Sequence, residues 1–129
     1  MFSQIKLKTG SRSEMKDITP DVQKEISGMG ISDGLCTVYV PHTTAGITIN
    51  EGADPAVCDD IIRKMDEMVP KNAGYRHMEG NADSHIKASL MGSSVTVPIV
   101  KGRLALGTWQ KIFFCEFDGP RTRKVTIAG

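Results

Sequence analysis

The last third of the chain limits the fold most strongly, because it consists of β-type segments that follow one another without a helical pattern between them. Strands are predicted for residues 94–100, 104–109, 112–117 and 125–127, and turn residues separate them. In a doubly wound α/β protein, strands alternate regularly with helices. The sequence therefore predicts an α+β fold with mixed or antiparallel strands.

Three short helices are predicted earlier in the chain, and each begins at a capping residue. Thr19 and Asp54 stand directly before a proline, an arrangement typical of a helix start. Asn81 is the corresponding cap for the third helix, and a nearby glycine or proline ends each one. The predicted helices span residues 20–26, 55–69 and 82–90, and the other predicted strands span residues 2–8, 34–40 and 46–49.

The composition is that of one globular domain covering residues 1–129. The chain is 40% hydrophobic and 24% charged, which is ordinary for a folded protein. Only 5% of its residues are aromatic, so the core is predicted to consist mainly of Ile, Val, Leu and Met. Four aromatic residues, Trp109, Phe113, Phe114 and Phe117, lie close together in the sequence. We expect this segment to form the centre of the core, with Trp109 packed inside it.

Charge, hydropathy and cysteine usage exclude several classes of protein. The net charge is +1, from 16 Lys and Arg against 15 Asp and Glu, which argues against a dedicated nucleic-acid binder. No apolar run approaches the ~20 residues that a membrane helix needs, and residues 1–16 lack the apolar region of a signal peptide. The three cysteines form no CxxC motif, so reduced thiols and a cytoplasmic location are expected. P-loop, Rossmann and GxSxG motifs are absent from the sequence.

The three histidines are the first candidates for chemistry. His42, His77 and His85 all lie in polar segments, and three imidazoles with an open fourth position are typical of a catalytic zinc site. Their spacing matches no local ligand motif, so solvated or structural histidines remain the alternative interpretation. Glu51 follows a strand and has no capping role, which makes it the best candidate for a general base.

A second group of candidates is basic. Arginine forks and helix starts suit the recognition of phosphate or carboxylate groups. The alternative is a solvated strand end, whose positive charges prevent edge-to-edge pairing of sheets. The basic residues of the C-terminal half are Lys87, Lys101, Arg103, Arg121, Arg123 and Lys124.

Four motifs resemble those of the YjbQ-like family, in order and over nearly the whole chain. They are PHTTAGITINE at 41–51, YRHMEGNADSHIK at 75–87, KGRL with GTWQ at 101–110, and EFDGPR at 116–121. The resemblance implies a β-sandwich flanked by short helices and assembled as a homotrimer. It also implies a divalent metal, with zinc as the expected ion, held near the subunit boundary by His42, His77 and His85.

The resemblance further implies a weak thiamine-phosphate synthase activity, in which hydroxymethylpyrimidine pyrophosphate and thiazole phosphate are joined. On that hypothesis Glu51 and Asp83 are catalytic, and the phosphorylated substrate is bound by Lys87, Thr108, Gln110 and Arg121. The competing hypotheses are a non-catalytic metal- or metabolite-binding protein and a metal-dependent phosphoesterase. Gly52 departs from the family pattern, which has Asn there, and this puts in doubt any contact that the missing side chain would make.

Overall fold

A computed structural model describes all residues, 1–129, and contains eight strands and three helices. The strands are β1 (Phe2–Lys8), β2 (Glu14–Asp17), β3 (Gly34–Tyr39), β4 (Ala45–Glu51), β5 (Ser94–Val100), β6 (Arg103–Leu104), β7 (Gln110–Glu116) and β8 (Thr122–Ala128). The helices are α1 (Thr19–Met29), α2 (Pro55–Met68) and α3 (Ala82–Met91). No helix is both long enough and apolar enough to cross a membrane.

Two antiparallel sheets form the framework. One has five strands in the order β1-β8-β3-β5-β6, and the other has three in the order β2-β7-β4. Every strand pair is antiparallel. The predicted α+β fold with a sandwich of mostly antiparallel strands is therefore confirmed.

The main core lies between the two sheets and α1. It contains inward-facing side chains from both sheets together with Val22 and Ile26 of α1. A smaller cluster lies on the other face of the three-stranded sheet, where Phe113 and Phe117 pack against α2 and α3. Strand β7 is thus buried on both faces, which explains its uninterrupted apolar run.

Several local predictions need correction. Trp109 is 63% exposed and lies in the turn before β7, so it does not pack in the core. The strand predicted at 104–109 is reduced to the two residues of β6. Strand β2 is absent from the prediction because Met15 is its only apolar residue. Helix α1 runs three residues further than predicted, to Met29, and ends at Gly30 with a φ of 70°.

The predicted helix caps have different outcomes. Asp54 caps α2, since its side chain accepts a hydrogen bond from the N–H of Ala56. Thr19 is the first residue of α1, and its hydroxyl accepts instead from the N–H of Ile112. Asn81 occupies the N-cap position of α3 without making a side-chain cap bond, so its amide is available for other contacts.

Candidate anion-binding site

A polar cavity of about 380 Å³ opens where three segments meet: the loop after β3, the start of α3 and the turn between β7 and β8. Cavities of this size are typical of small-molecule sites. Apart from one proline, every lining side chain can make a hydrogen bond. The lining residues are Pro41, His42, Thr43, Thr44, Glu79, Asn81, His85, Asp118, Arg121 and Arg123.

Arg123 is a buried arginine in the wall of this cavity, with only 5% of its surface exposed. Its Nε donates to Oε1 of Glu116 at 2.8 Å, and its Nη2 donates to the other carboxylate oxygen and to the hydroxyl of Thr44. Glu116 also accepts from the hydroxyl of Thr9 at 2.7 Å. These contacts fix the plane of the guanidinium group and leave Nη1 without a partner in the protein.

Glu116 remains a carboxylate despite its burial. Burial by itself raises the pKa of Glu116, but the hydrogen bonds from Arg123 and Thr9 outweigh that effect and lower the pKa below its ordinary value. Two backbone N–H groups, of Phe117 and Asp118, add to the stabilisation of the carboxylate. The cavity wall therefore contains a rigid cation whose position is set by the sheet.

Arg121 provides a second guanidinium at the rim. Its Nη2 donates to Oδ2 of Asp118 at 2.9 Å and its Nε donates to the backbone carbonyl of the same residue. The side-chain amide of Asn81 donates to the same Oδ2 at 2.8 Å. These bonds lower the pKa of Asp118, although burial opposes them. Oδ1 of Asn81 is buried and accepts no hydrogen bond.

His42 lies at the start of the loop and contacts β8. Its Nε2 accepts a hydrogen bond from the backbone N–H of Lys124 at 3.0 Å. Burial and the charge of Arg123 both lower the pKa of His42, so the neutral ring is favoured. Because Nε2 is the acceptor, the proton of the neutral ring belongs on Nδ1, which becomes a donor.

A metal held by three histidines, as the resemblance implies, requires the three imidazoles to converge on one point. His77 and His85 lie edge to face, with 5.2 Å between ring centroids, and His85 shares the cavity with His42. No three side chains of histidine, cysteine, aspartate or glutamate are grouped so that they hold a metal ion. His42 also has no free lone pair while it accepts from Lys124. The three histidines of one chain do not fit a ready three-ligand site in this conformation.

Asp83 and Lys87, predicted as catalytic and substrate-binding residues, lie on the inner side of α3. The side chain of Asp83 is fully buried and receives hydrogen bonds from Lys87 at 2.9 Å and from both Nη atoms of Arg12. Lys87 is 1% exposed and also donates to Asp66 at 2.7 Å. Neither residue lines the polar cavity. The catalytic role of Asp83 and the substrate-binding role of Lys87 stay predictions. The contacts of both residues form an ion-pair network that holds α3 in place.

The remaining predicted residues lie at the opposite end of the β4–β7 ladder. Glu51 pairs with Gln110 at one end, whereas Ala45 pairs with Glu116 at the other. At about 3.3 Å per residue, Glu51 is roughly 20 Å from the cavity end of β4. Thr108 and Gln110 line a separate cavity of about 310 Å³. One chain therefore does not bring these three residues together with the histidines.

Gly52 has a local packing role next to this second cavity. A Cβ atom at this position would lie 2.0 Å from Cγ of Lys111, so glycine allows the lysine stem to cross the backbone there. The glycine that departs from the family pattern therefore affects packing at the Glu51 end of the β4–β7 ladder. This end is about 20 Å along the strand from the polar cavity.

The structure adds a functional candidate to those predicted. From the sequence, only Arg121 of the basic run is expected to bind substrate, but Arg123 is the more rigidly held of the two. The sequence does contain an indication of this role. Side chains of a strand alternate between its two faces, and Arg123 lies two residues before Val125 and four before Ile127, so all three face inward. A charged residue at an inward position of a strand indicates a buried pair.

The fold and the cavity define a small α+β protein with an arginine-containing polar pocket. The chain belongs to the UPF0047 YjbQ-like family, whose model matches residues 3–128. It is 53% identical over 127 residues to UPF0047 protein MJ1081 of Methanocaldococcus jannaschii, and the matched region covers 98% of this chain and 92% of that protein. It is 52% identical over 128 residues to UPF0047 protein YugU of Bacillus subtilis, and the matched region covers 98% of this chain and 97% of that protein.

Solved structures agree with this assignment. An uncharacterised conserved protein of the YjbQ/UPF0047 family from Clostridium acetobutylicum has a TM-score of 0.96 at 53% identity, with 98% of each chain covered. A hypothetical protein from Aeropyrum pernix has a TM-score of 0.94 at 38% identity, with 99% of this chain and 96% of that chain covered. The family shares the fold described above.

Proposed function

We propose that the polar cavity binds the phosphate or pyrophosphate group of a small phosphorylated compound. The observation that carries this proposal is Arg123, a buried guanidinium in the cavity wall whose Nη1 has no partner in the protein. Guanidinium groups are well suited to phosphate oxygens. Arg121 at the rim and Nδ1 of His42 supply further donors.

The charges in the cavity are nearly balanced, and this determines how an anion is held. Glu116 neutralises Arg123, Asp118 neutralises Arg121, and Glu79 adds one more acid to the lining. The five groups sum to one net negative charge, so binding depends on directed hydrogen bonds and not on a net positive charge, and the affinity is expected to vary only moderately with salt. In a group-transfer reaction the same donors stabilise the charge that develops on a departing phosphate.

We predict that Arg121→Ala weakens the binding of inorganic pyrophosphate by about tenfold or more, since a hydrogen bond to a charged group contributes about 1.5–3 kcal/mol. Isothermal titration calorimetry measures the effect directly. Arg63→Ala is the matched control, because Arg63 is an exposed arginine of α2 that pairs with Glu67 outside the cavity. Equal affinities for the wild type and Arg121→Ala, or no binding by either, would contradict the proposed site.

We propose thiamine-phosphate formation, in which the thiazole nitrogen forms a bond to the pyrimidine methylene carbon and pyrophosphate leaves. The resemblance supports this choice, and a pyrophosphate-binding cavity is compatible with it. A resident metal would require His42 to give up its hydrogen bond to Lys124. The buried, unpartnered Oδ1 of Asn81 is the observation in favour of a cation.

We predict that His85→Ala abolishes formation of thiamine phosphate from the two precursors, because His85 lines the polar cavity; if a metal binds once His42 has released Lys124, the same variant also reduces metal content. Metal analysis of the wild type and of His42→Ala, His77→Ala and His85→Ala tests the metal separately from the reaction. Full metal content in all three variants would show that the ligand assignment is wrong. Pyrophosphate binding without product formation would favour the non-catalytic metabolite-binding protein, and release of phosphate from monoesters would favour a phosphoesterase.

We propose further that the chain assembles as a homotrimer through the outer face of the five-stranded sheet. Leu35 and Tyr39 point outward on β3, where they alternate with the buried Cys36 and Val38. Leu35 is 63% exposed, and Val100 on the neighbouring β5 and Phe2 on β1, one strand beyond β8, are also exposed. Large exposed apolar side chains on one face of a sheet support an interface between copies of the chain.

The trimer would also account for the residues at the far end of the ladder. Glu51, Thr108 and Gln110 lie too far from the histidines within one chain, so we propose that they reach the cavity only from a neighbouring copy. No nucleic-acid or membrane partner is proposed. The three free thiols support the proposed location in the cytoplasm.

We predict that Leu35→Asp converts the trimer to monomers, because it places a charge in the centre of the apolar face. Size-exclusion chromatography with light scattering measures the mass, which is expected to fall to one third. Met68→Asp is the matched control, since Met68 is 60% exposed and lies at the end of α2, which packs on the three-stranded sheet. A monomeric wild type, or a trimeric Leu35→Asp variant, would contradict this interface.

A further inference from the structure

The cavity at the start of β7 contains two cations and no acid. It has a volume of about 310 Å³ and lies between the start of α1, the segment after β6 and the first residues of β7. Arg103 and Lys111 are its only charged lining residues, and the neutral residues with hydrogen-bonding side chains are Thr19, Gln23, Thr108 and Gln110. We refer to it as the basic cavity, because its charge is opposite in sign to the net charge of the polar cavity.

Neither cation of the basic cavity has an acidic partner in the chain. All of the ion pairs in the fold involve other residues. Glu51 is close to Lys111 in the β4–β7 ladder, but it pairs with Gln110 and does not line the cavity. Two like charges that line one small cavity create a positive potential, which concentrates anions. The counter-ion of this cavity must therefore come from outside the chain.

The backbone on both sides of Arg103 is held by one side chain of α1. Oε1 of Gln23 accepts a hydrogen bond from the N–H of Leu104 at 2.9 Å, and its Nε2 donates to the carbonyl oxygen of Gly102 at 3.0 Å. The N–H of Gly102 also donates to the carbonyl oxygen of Ser32 at 2.8 Å. Because the backbone of Arg103 is fixed in this way, a ligand has to order only its side chain.

Lys111 is positioned by the glycine that departs from the family pattern. A Cβ atom at Gly52 would lie 2.0 Å from Cγ and 2.8 Å from Cβ of Lys111, so the lysine stem occupies the space that a side chain at position 52 would need. The N–H of Gly52 donates to the carbonyl oxygen of Trp109 at 2.9 Å, which holds this backbone beside β7. The Asn of the family pattern would therefore displace the lysine stem.

Two neutral side chains supply further donors. Oε1 of Gln110 accepts a hydrogen bond from the N–H of Gly107 at 2.8 Å, which leaves its NH₂ group available to donate. The hydroxyl of Thr19 accepts from the N–H of Ile112 at 2.8 Å, which leaves its proton available. In both side chains the protein itself uses an acceptor, so the hydrogen bonds that remain are ones that an anion accepts.

We infer that the basic cavity is a binding site for a small dianion, whose two charges neutralise Arg103 and Lys111. A phosphate group has both charges on one centre and a small dicarboxylate has one at each end, and guanidinium and ammonium groups bind either. The site is complete within one chain and shares no residue with the polar cavity. The inference therefore goes beyond the proposed function and is independent of it.

NMR titration of the wild type measures binding at the two cavities separately. The amide signals of Gly107 and Thr108 report on the basic cavity, and those of Asp118 and Lys124 report on the polar cavity. The titrants are inorganic phosphate in its dianionic form, succinate, and acetate as a monoanion. We expect the better of the two dianions to bind at Gly107 and Thr108 about tenfold more tightly than acetate, which neutralises only one cation. The dianion that binds more tightly identifies the source of the charges.

Salt dependence provides a second measurement. Between about 0.01 M and 0.1 M salt the Debye length falls from about 30 Å to about 10 Å. Binding at the basic cavity depends on two unpaired cations, so we expect its affinity for the dianion to fall about threefold or more over this range. An affinity that does not change with salt would overturn the inference.

Arg103→Gln and Lys111→Gln each remove one cation, and we expect each to weaken binding of the dianion about tenfold. Gly52→Asn changes no charge, and we expect it to weaken binding about threefold or more, because it displaces the stem of Lys111. Lys24→Gln is the matched control, since Lys24 is exposed on α1 and does not line the cavity. It should bind the dianion as the wild type does.

The outcomes distinguish this inference from the proposed function. Absence of shifts at Gly107 and Thr108 with both dianions would overturn it, and so would acetate binding as tightly as either dianion. Equal affinities of the wild type, Arg103→Gln and Lys111→Gln would also overturn it. Shifts confined to the polar cavity would overturn it and leave the proposed anion site intact. Shifts confined to the basic cavity, with no pyrophosphate bound at the polar cavity, would support it and contradict the proposed function.

Discussion

Arg123→Met is expected to lower the free energy of unfolding by about 3–5 kcal/mol, the effect usual when one partner of a buried ion pair is removed. Glu116 is fully buried and would retain only the hydroxyl of Thr9 and backbone N–H groups as partners. Its carboxylate would then lack a neighbouring cation. Chemical denaturation of the wild type and the variant measures the difference.

Lys124→Met is the control for this prediction, because Lys124 is the next residue of β8 and its side chain is exposed on the opposite face. We expect a change within about 0.5 kcal/mol, which is usual for surface substitutions. The double variant Glu116→Leu with Arg123→Met should recover part of the lost stability, since it removes the unpaired buried charge. An Arg123→Met protein as stable as the wild type would show that the pair does not stabilise the fold.

Asp83→Ala is expected to lower the free energy of unfolding by about 3 kcal/mol, the lower end of the range for a broken buried pair. The ammonium of Lys87 would remain buried with Asp66 as its only acidic partner. Asp59→Ala on the exposed side of α2 is the control. A variant that keeps its stability but loses product formation would support the predicted catalytic role of Asp83 over the structural one.

The dependence of stability on pH provides a second measurement for Asp83. Burial alone raises the pKa of this carboxyl, but the hydrogen bonds from Arg12 and Lys87 lower it to about 2 from an ordinary value of 3.8. The resulting contribution of about 2 kcal/mol is present above pH 3.8 and is lost as the pH falls towards 2. Unfolding free energies of the wild type should therefore decrease over this window, and Asp83→Asn should show a smaller decrease.

The regular elements could be predicted because their signals are local. The starts of α1 and α2 follow from Thr19 and Asp54 before proline, and the long strands follow from alternation of apolar residues. Strand β2 and the exposed position of Trp109 could not be predicted this way. Both depend on tertiary context, since β2 exists only as a partner of β7, and Trp109 lies just beyond the ladder rather than within it.

The site was predictable in its residue types more than in its geometry. The sequence singles out His42, His85 and Arg121, which the fold brings to one cavity. It cannot reveal that Asp83 and Lys87 point inward while His85, between them on α3, lines the cavity, because that depends on the rotation of the helix. It also cannot reveal that Glu51 is separated from the histidines by the length of a strand.

The alternation of charge on β8 has a consequence for how the chain finds its native pairing. A slip of one residue against β1 and β3 would turn every side chain of the strand to the opposite face. Arg123 would then enter solvent, Lys124 would enter the core, and Glu116 would be left without its counter-ion. Misaligned sheets are therefore penalised electrostatically as well as by lost apolar burial, so the same ion pair that shapes the cavity selects the correct strand register.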